Sequence, residues 1–448
     1  MMMKGKEDEK ESRSILEAIP LDVKKKKMDT VTVVTHHQQK QVFCEGDEST
    51  RDKKRLHVLL PYDMEVETLI RLPGKSLVKF LCVSKTWYSL IRSQRFVASY
   101  YAKKPSRFVA AFTNGVCEDP KRLFILSGEE EETWLSSSSS LVANLEMTIP
   151  SVTLDHGGYK YSSVHGFLAC NDGLTFIICN PSTGQVIIFP CKSQRTSLGY
   201  DPVHDQFKAL TLLTSIYDHM HNPSIMCMHE VIRLGRGRGG RVLVSRRPVT
   251  SPYYRPMTLG LCINGFMYYG ASVPLPDQTA ETPVFVCFDV RYERILSFIT
   301  TPKDVLVGKG FTSLIEYKGK PAVVVPYRLG CGSSFDRFNL WILEDVTKHE
   351  WSKQTFQLPL SLPFTLGMGQ RMISQGTNKA DEIIFSPATL PGRAQPFYVF
   401  YFNPHTKTTR RVRIHGVADT EEFWSRYGLT GICCASFSPQ HNDSIAIL

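Results

Sequence analysis

At 448 residues, with 42% hydrophobic and 21% charged side chains, the chain has room for one large repeat domain plus a smaller one, and enough apolar residues to bury a core. It opens on alternating Lys, Glu and Asp rather than a secretory apolar stretch, and no run approaches the roughly 20 apolar residues of a membrane span, so an intracellular protein of nucleus or cytoplasm is expected. The net charge of +10 raises nucleic acid as a partner, but residues 105–448 carry 32 basic and 29 acidic side chains, which is not the footprint of a nucleic-acid groove.

Residues 1–56 carry 13 basic and 11 acidic groups with no sustained periodicity, and they read as a disordered charged tail. Its basic clusters, Lys24–Lys27 and residues 53–55, would suit a nuclear address. Residues 57–104 carry 8 basic and 3 acidic groups and change to helical spacing. A first helix is predicted over 63–72 with Asp63 as N-cap, broken by Pro73 and Gly74. A second follows over 76–83, with Leu77, Phe80 and Leu81 on one face, and a third runs from Lys85 into Ile91 and on toward Tyr101. Three short helices bury too little surface to stand alone, so the unit is expected to dock on another protein.

From about residue 105 the period becomes strand-like. The run 175–179 (TFIIC), the turn 180–184 (NPSTG) and the run 185–190 (QVIIFP) read as a hairpin. The same pattern returns around turns near 291, 347 and 405, and again at 226–245 around the glycine-rich residues 235–240. A further copy joins 108–112 (FVAAF) to 123–127 (LFILS). Turn glycines at 165–169 (HGFLA), 264–268 (NGFMY) and 318–322 (KGKPA) mark a second hairpin series one strand earlier. Units of this kind cannot bury both sheet faces singly, whereas radial stacking does so and protects the edges. The fold expected is therefore α+β as separate domains: three N-terminal helices, then an all-β propeller of about six blades. The weakly patterned stretch 415–448 leaves seven open, and residues 431–437 (GICCASF) are a candidate closing strand.

No catalytic constellation stands out. Gly235, Gly237 and Gly240 match a dinucleotide spacing, but a strand-like run follows where a helix is needed. The arginines at 233, 236, 238, 241, 246 and 247, with no acidic neighbour in sequence, form an RNA-binding type of segment; a propeller that binds RNA or nucleoprotein through loop 233–247 is the alternative function. His219, His221, Cys227 and His229 match no standard zinc spacing. Cys170, Cys179, Cys262 and Cys287 lie in apolar runs and are read as buried reduced thiols, while Trp341 and Trp351 are read as packing residues. No cofactor, metal or membrane is implied.

Residues 60–96 nonetheless carry a specific pattern: LPYDM, ETL, RLP, KSL, KF, CVSK, Trp87 and SLI, at the spacing of the F-box motif, which this segment closely resembles. The segments NPSTG, LGYDP (198–202), CINGFMYYGA (262–271), CFDVR (287–291), LWILED (340–345) and KHEWSK (348–353) resemble the F-box-associated β-propeller of plant F-box proteins, of the type 3 variety. The resemblance implies a non-catalytic substrate receptor of an SCF-type ubiquitin ligase. Its F-box would bind a Skp-family adaptor joined to a cullin scaffold, and its propeller would hold a protein target. Carried over by position, Leu60, Pro61, Met64, Leu69, Leu72, Leu77, Val83 and Trp87 would form the adaptor-docking surface and its support. Met64 and Thr68 depart from the usual Leu and Ile, and Thr68 is expected to cost packing of roughly a kcal/mol. The long insertions 129–140, 217–223, 274–283 and 330–336 would form the target surface.

Overall fold

The computed structural model describes residues 32–35 and 61–448, apart from 105, 116–117, 131–139, 153–161, 214–226, 237–241, 275–280, 309–311, 329–334, 359–370 and 447. Strand β1 (Thr32–Thr35) precedes helices α1 (Tyr62–Ile70), α2 (Gly74–Phe80), α3 (Lys85–Ile91) and α4 (Gln94–Lys103). Strands β2 (Arg107–Thr113), β3 (Arg122–Glu129), β4 (Ser140–Val142) and β5 (Asn144–Pro150) follow, then β6 (Ser162–Val164), β7 (Phe167–Asp172), β8 (Thr175–Asn180) and β9 (Gln185–Pro190). The next sheet holds β10 (Thr196–Asp201), β11 (Gln206–Thr211), β12 (Cys227–Arg236) and β13 (Val242–Ser251). After it come β14 (Arg255–Pro256), β15 (Leu261–Ile263), β16 (Phe266–Pro274), β17 (Glu281–Asp289) and β18 (Arg294–Thr300). Strands β19 (Ser313–Tyr317), β20 (Lys320–Arg328), β21 (Phe335–Asp345) and β22 (Glu350–Gln357) form the fifth blade. The last comprises β23 (Met372–Thr377), β24 (Ile383–Pro387), β25 (Phe397–Asn403) and β26 (Thr408–His415), followed by helix α5 (Glu421–Tyr427) and strand β27 (Ala435–His441).

The sheets form a six-bladed propeller, which decides the blade number left open by sequence. The innermost strands touch in a closed ring: β6, β10, β15, β19, β23, β27 and back to β6. Blade 1 is assembled from both ends of the domain in the order β27-β2-β3-β5, so the segment expected to close the ring does so. A second tie crosses the same seam, where β4 lies parallel to β26 on the outer edge of blade 6. Because β27 supplies the innermost strand of blade 1, the 108–112/123–127 hairpin is its second and third strands, whereas the other copies are third and fourth strands. Its turn is thus not equivalent to the others.

Strand periodicity explains the packing. Each blade presents alternate residues to its two neighbours, and the buried residues separate into one apolar cluster for every blade pair. On β2, Ala110 and Phe112 face blade 6 while Val109 and Ala111 face blade 2. On β8, Ile177 and Cys179 face blade 1 while Phe176 and Ile178 face blade 3. The outer hairpins of blades 2, 4, 5 and 6 share a five-residue turn that starts with Asn or Asp and ends at positive φ. Asn180 accepts the N–H of Ser182 at 3.0 Å, Asp345 that of Thr347 at 2.7 Å and Asn403 that of His405 at 2.9 Å. Gly184, Glu293, His349 and Lys407 then take φ of 77°, 57°, 57° and 58°. The glycine marker belongs to the first hairpin, where His165-Gly166, Asn264-Gly265 and Lys318-Gly319 are pairs with both φ positive.

Three sequence expectations need correction. Residues 32–35, inside the segment read as disordered, form a strand antiparallel to 185–188, as suits a run of β-branched residues beside an open edge. The helical unit has four helices, not three: the Ser93 hydroxyl accepts the N–H of Phe96, which ends α3 and starts α4. α1 begins after Pro61 rather than at an Asp63 cap, and α2 begins at Gly74, so Pro73 and Gly74 start a helix instead of only breaking one. The weak pattern of 415–448 has a cause as well. It holds α5, capped by Thr420 and by Gly428 at φ 59°, whose Phe423 and Tyr427 pack on Phe112 at 5.3 and 5.6 Å between ring centroids.

Phe437 of β27 stacks on Phe108 of β2 at 5.3 Å and is buried at the ring seam. Phe437→Ala is expected to lower the stability of the propeller by about 3–5 kcal/mol, read as a fall in the urea midpoint at unchanged slope.

Candidate interaction surfaces

Antiparallel pairing makes the connections of each blade alternate between two rims. Turns joining first to second and third to fourth strands open on one rim; the remaining connections open on the other. β2 leaves α4 on the first of these, and β27 ends there, so the helices sit on the rim of tight turns.

The helices form a small core of Leu69, Ile70, Leu77, Leu90, Ile91, Phe96 and Tyr100, and Ile445 from beyond β27 is part of it. Gly74 approaches Ser182 of blade 2 so closely that an added Cβ would lie 2.9 Å from its carbonyl oxygen. The unit expected to need another protein for completion is therefore completed in part by its own propeller. Of the expected docking residues, Leu69 and Leu77 are spent inside this core, Leu77 being 0% exposed. Leu72 and Trp87 are half-buried, with Trp87 edge-on to Phe80 at 5.0 Å. Pro61, Met64 (55% exposed) and Val83 (62%) face solvent, while Leu60 lies outside the described residues. Thr68 is exposed, so it costs the module no packing. Tyr62 and Tyr88 are exposed apolar neighbours that the motif did not single out; only burial separates them from core aromatics.

A polar network ties this module to the propeller. Glu146 on β5 accepts from Lys75 of α2 at 2.7 Å and from Arg107 at 2.9 Å, and Arg107 also donates to Asp443 at 2.9 Å. The Ser182 hydroxyl donates to Asp443 at 2.9 Å, and Asn180 donates to the carbonyl of Ser444 at 3.0 Å. Burial alone would raise the Glu146 carboxyl, but the bonds from Lys75 and Ser127 outweigh it and hold the group below its ordinary value. Beside them His441 is buried, its Nδ1 3.1 Å from the Ser163 hydroxyl, and burial pushes its ring down to about 4.

The described strand ends that flank three of the four insertions expected to meet a target, 217–223, 274–283 and 330–336, are those of second and third strands and lie on the rim away from the helices. The end of β3 that leads into 129–140 is on the helix side. Residues 217–223 and most of the other three fall outside the described residues. A central channel of about 860 Å³ runs between the rims, lined by His165, Asn171, Thr196, Tyr200, Glu316 and Arg371 among others. Among the described residues no group of three His, Cys, Asp or Glu side chains is placed to hold a metal ion. Cys227 and His229 are buried, the Cys227 thiol donating to the Tyr254 carbonyl and His229 accepting from Leu213 N–H; His219 and His221 lie outside the described residues.

The arginine segment changes meaning in three dimensions. Arg233 makes a bidentate pair with Glu293, 60 residues away along the chain, and Arg246 pairs with Glu230 at 2.7 Å. Arg247 also approaches Glu293. Half of the six arginines thus have carboxylate partners, which weakens the RNA reading; Arg238 and Arg241 lie outside the described residues.

A family model described as F-box associated beta propeller domain matches residues 112–441, and one described as F-box domain matches residues 58–99. Among Arabidopsis thaliana proteins, F-box protein At1g30790 is 44% identical over 407 residues, covering 87% of this chain and 98% of its own. Putative F-box protein At1g32660 is 41% identical over 459 residues, covering 100% of this chain and 98% of its own. F-box protein DOR is 34% identical over 374 residues, covering 80% and 88% respectively.

His441 and His229 are both pushed down to about 4 by burial, against an ordinary value of about 6.5. The unfolded chain therefore takes up protons that the fold refuses, so their contribution is intact above pH 6.5 and lost progressively toward pH 4. The urea midpoint should fall between pH 7 and 5, and His441→Gln should make that slope shallower even if its midpoint is lower throughout.

Proposed function

The chain belongs to the F-box proteins that carry an F-box associated β-propeller domain, and we propose that it serves as a target receptor of an SCF-type ubiquitin ligase. The helical module, residues 57–104, docks a Skp-family adaptor and through it a cullin scaffold. The propeller, residues 105–448, captures a protein target. The chain supplies no bond chemistry; it raises the effective concentration of target beside charged ubiquitin. Such work places it inside the cell, in nucleus or cytoplasm.

The observation that carries this reading is the apolar surface left over on the helices. The module has already spent its core face on itself and on Ile445, yet Tyr62, Met64, Val83 and Tyr88 remain in water. Large exposed apolar side chains crowded on a unit of this size mark a protein-binding face. Pro61 lies beside them, and Leu69, Leu72, Leu77 and Trp87 act from behind as support. Leu60, which precedes Pro61, is assigned to the docking edge by the motif.

Co-expression with a Skp-family adaptor and cullin tests the proposal. The wild-type chain should co-purify with both. Met64→Asp/Val83→Asp should weaken adaptor association by roughly tenfold or more, and Leu60→Ala/Pro61→Ala should act in the same direction, without moving the unfolding midpoint. A folded wild-type chain that ignores every adaptor tried would overturn the assignment.

A further inference from the structure

We propose that the seam between blades 3 and 4, on the rim that carries the helices, is a recognition surface for an acidic protein segment bearing an apolar side chain. This rests on the receptor reading and names the chemistry of the target it would capture.

Cations gather at this seam in excess. Arg233 of β12 donates to Glu293 through Nε at 2.5 Å and Nη2 at 2.8 Å, and Arg247 of β13 reaches the same carboxylate at 3.5 Å. Lys208 of β11 lies 3.1 Å from Glu293 and donates to the carbonyls of Val290 and Arg291. Three cations thus surround Glu293, with Lys208 shared between it and the buried Asp201 at 3.8 Å. The seam's anions are sunk: Glu293, Asp201 and Asp289 are all buried. Asp201 accepts the N–H of Val203 and faces His204, and Asp289 accepts the N–H of Tyr292. Asp205 is the exposed acid here, and it accepts from the Tyr200 hydroxyl. Arg247, Arg291 and Arg294 meanwhile stand in solvent.

Apolar surface is set among these charges. Tyr292 is 58% exposed, with the guanidinium carbons of Arg291 and Arg294 at 5.0 and 5.5 Å from its ring centroid. Val203, on the turn that holds Asp201, is 61% exposed. Arginine forks fit carboxylates in pairs, and arginine with tyrosine is the composition of protein-recognition anchors. Nucleic acid fits less well. The Tyr292 ring on which a base would stack already carries guanidinium groups, and two of the four arginines share Glu293. The patch is compact, whereas phosphate binding needs a run of free cations.

The test uses the full chain, alone and with its adaptor, against an array of synthetic peptides of about 12 residues graded in Asp and Glu content, with and without Leu or Phe. The strongest acidic peptide and an oligouridylate of similar length are then titrated by fluorescence anisotropy. Acidic peptides with an apolar residue should bind best, and more weakly as salt is raised from about 50 to about 300 mM. Arg291→Glu/Arg294→Glu should weaken that binding roughly tenfold or more, and Tyr292→Ala roughly fivefold, with adaptor association and the unfolding midpoint unchanged. The inference is overturned if no acidic peptide binds, if the double variant binds as the wild type does, or if the oligouridylate binds more tightly than the peptides. Adaptor association is read separately, so its failure would sink the receptor reading while the peptide titration still judged the seam.

Discussion

Everything in this molecule depends on closing the ring. A four-stranded blade has two apolar faces, and each is covered only by the next blade. The burden falls on β27, which comes from the far end of the domain to become the innermost strand of blade 1. Its Phe437 and the neighbouring Phe108 join the same cluster as Tyr401 of blade 6 and Trp424 of α5, so blades 1 and 6 cohere through one apolar body. The parallel β4–β26 pairing repeats the tie at the outer edge, where a single closure would leave a strand edge unpaired.

The same closure organises the helical module. Residues after β27 emerge on the helix side and place Ile445 in the helical core, while Asp443 and Ser444 bond to Arg107, Ser182, Asn180 and Tyr101. One short segment therefore belongs to propeller and helices alike. The Lys75–Glu146–Arg107–Asp443 chain of charges is partly buried and held by hydroxyl and backbone partners, the circumstance in which ion pairs fix geometry as well as contribute stability. A receptor that works by proximity gains from such a joint, since a loose one would spread the captured target over a larger volume.

Two rims with different character follow from strand order. On the helix-side rim the described outer turns of blades 2, 4, 5 and 6 are short and stiffened by Asn and Asp side chains, and the rim carries the cation-rich seam around Tyr292. The opposite rim carries helix α5. A rigid rim is the better platform for a small, chemically specific contact, because little ordering entropy is lost on binding.

Much of this was legible in the residue string. Alternating apolar runs, the turn at 180–184 and the paired positive-φ turns at 165–166, 264–265 and 318–319 are local features, and they set strands, hairpins and the propeller architecture. The F-box pattern likewise identified the helical unit, though not its fourth helix, which hangs on the single hydroxyl cap of Ser93. Local chemistry could not say which apolar side chains of that unit stay in water, since Leu77 and Val83 look alike until Ser182 and Ile445 arrive from elsewhere. Nor could it show that Arg233 and Arg247 meet Glu293, 60 and 46 residues away along the chain. Periodicity and turn chemistry act over a few residues, so they are written in sequence; ring closure, charge pairing and the choice of exposed face arise from contacts between distant segments, and only the folded chain decides them.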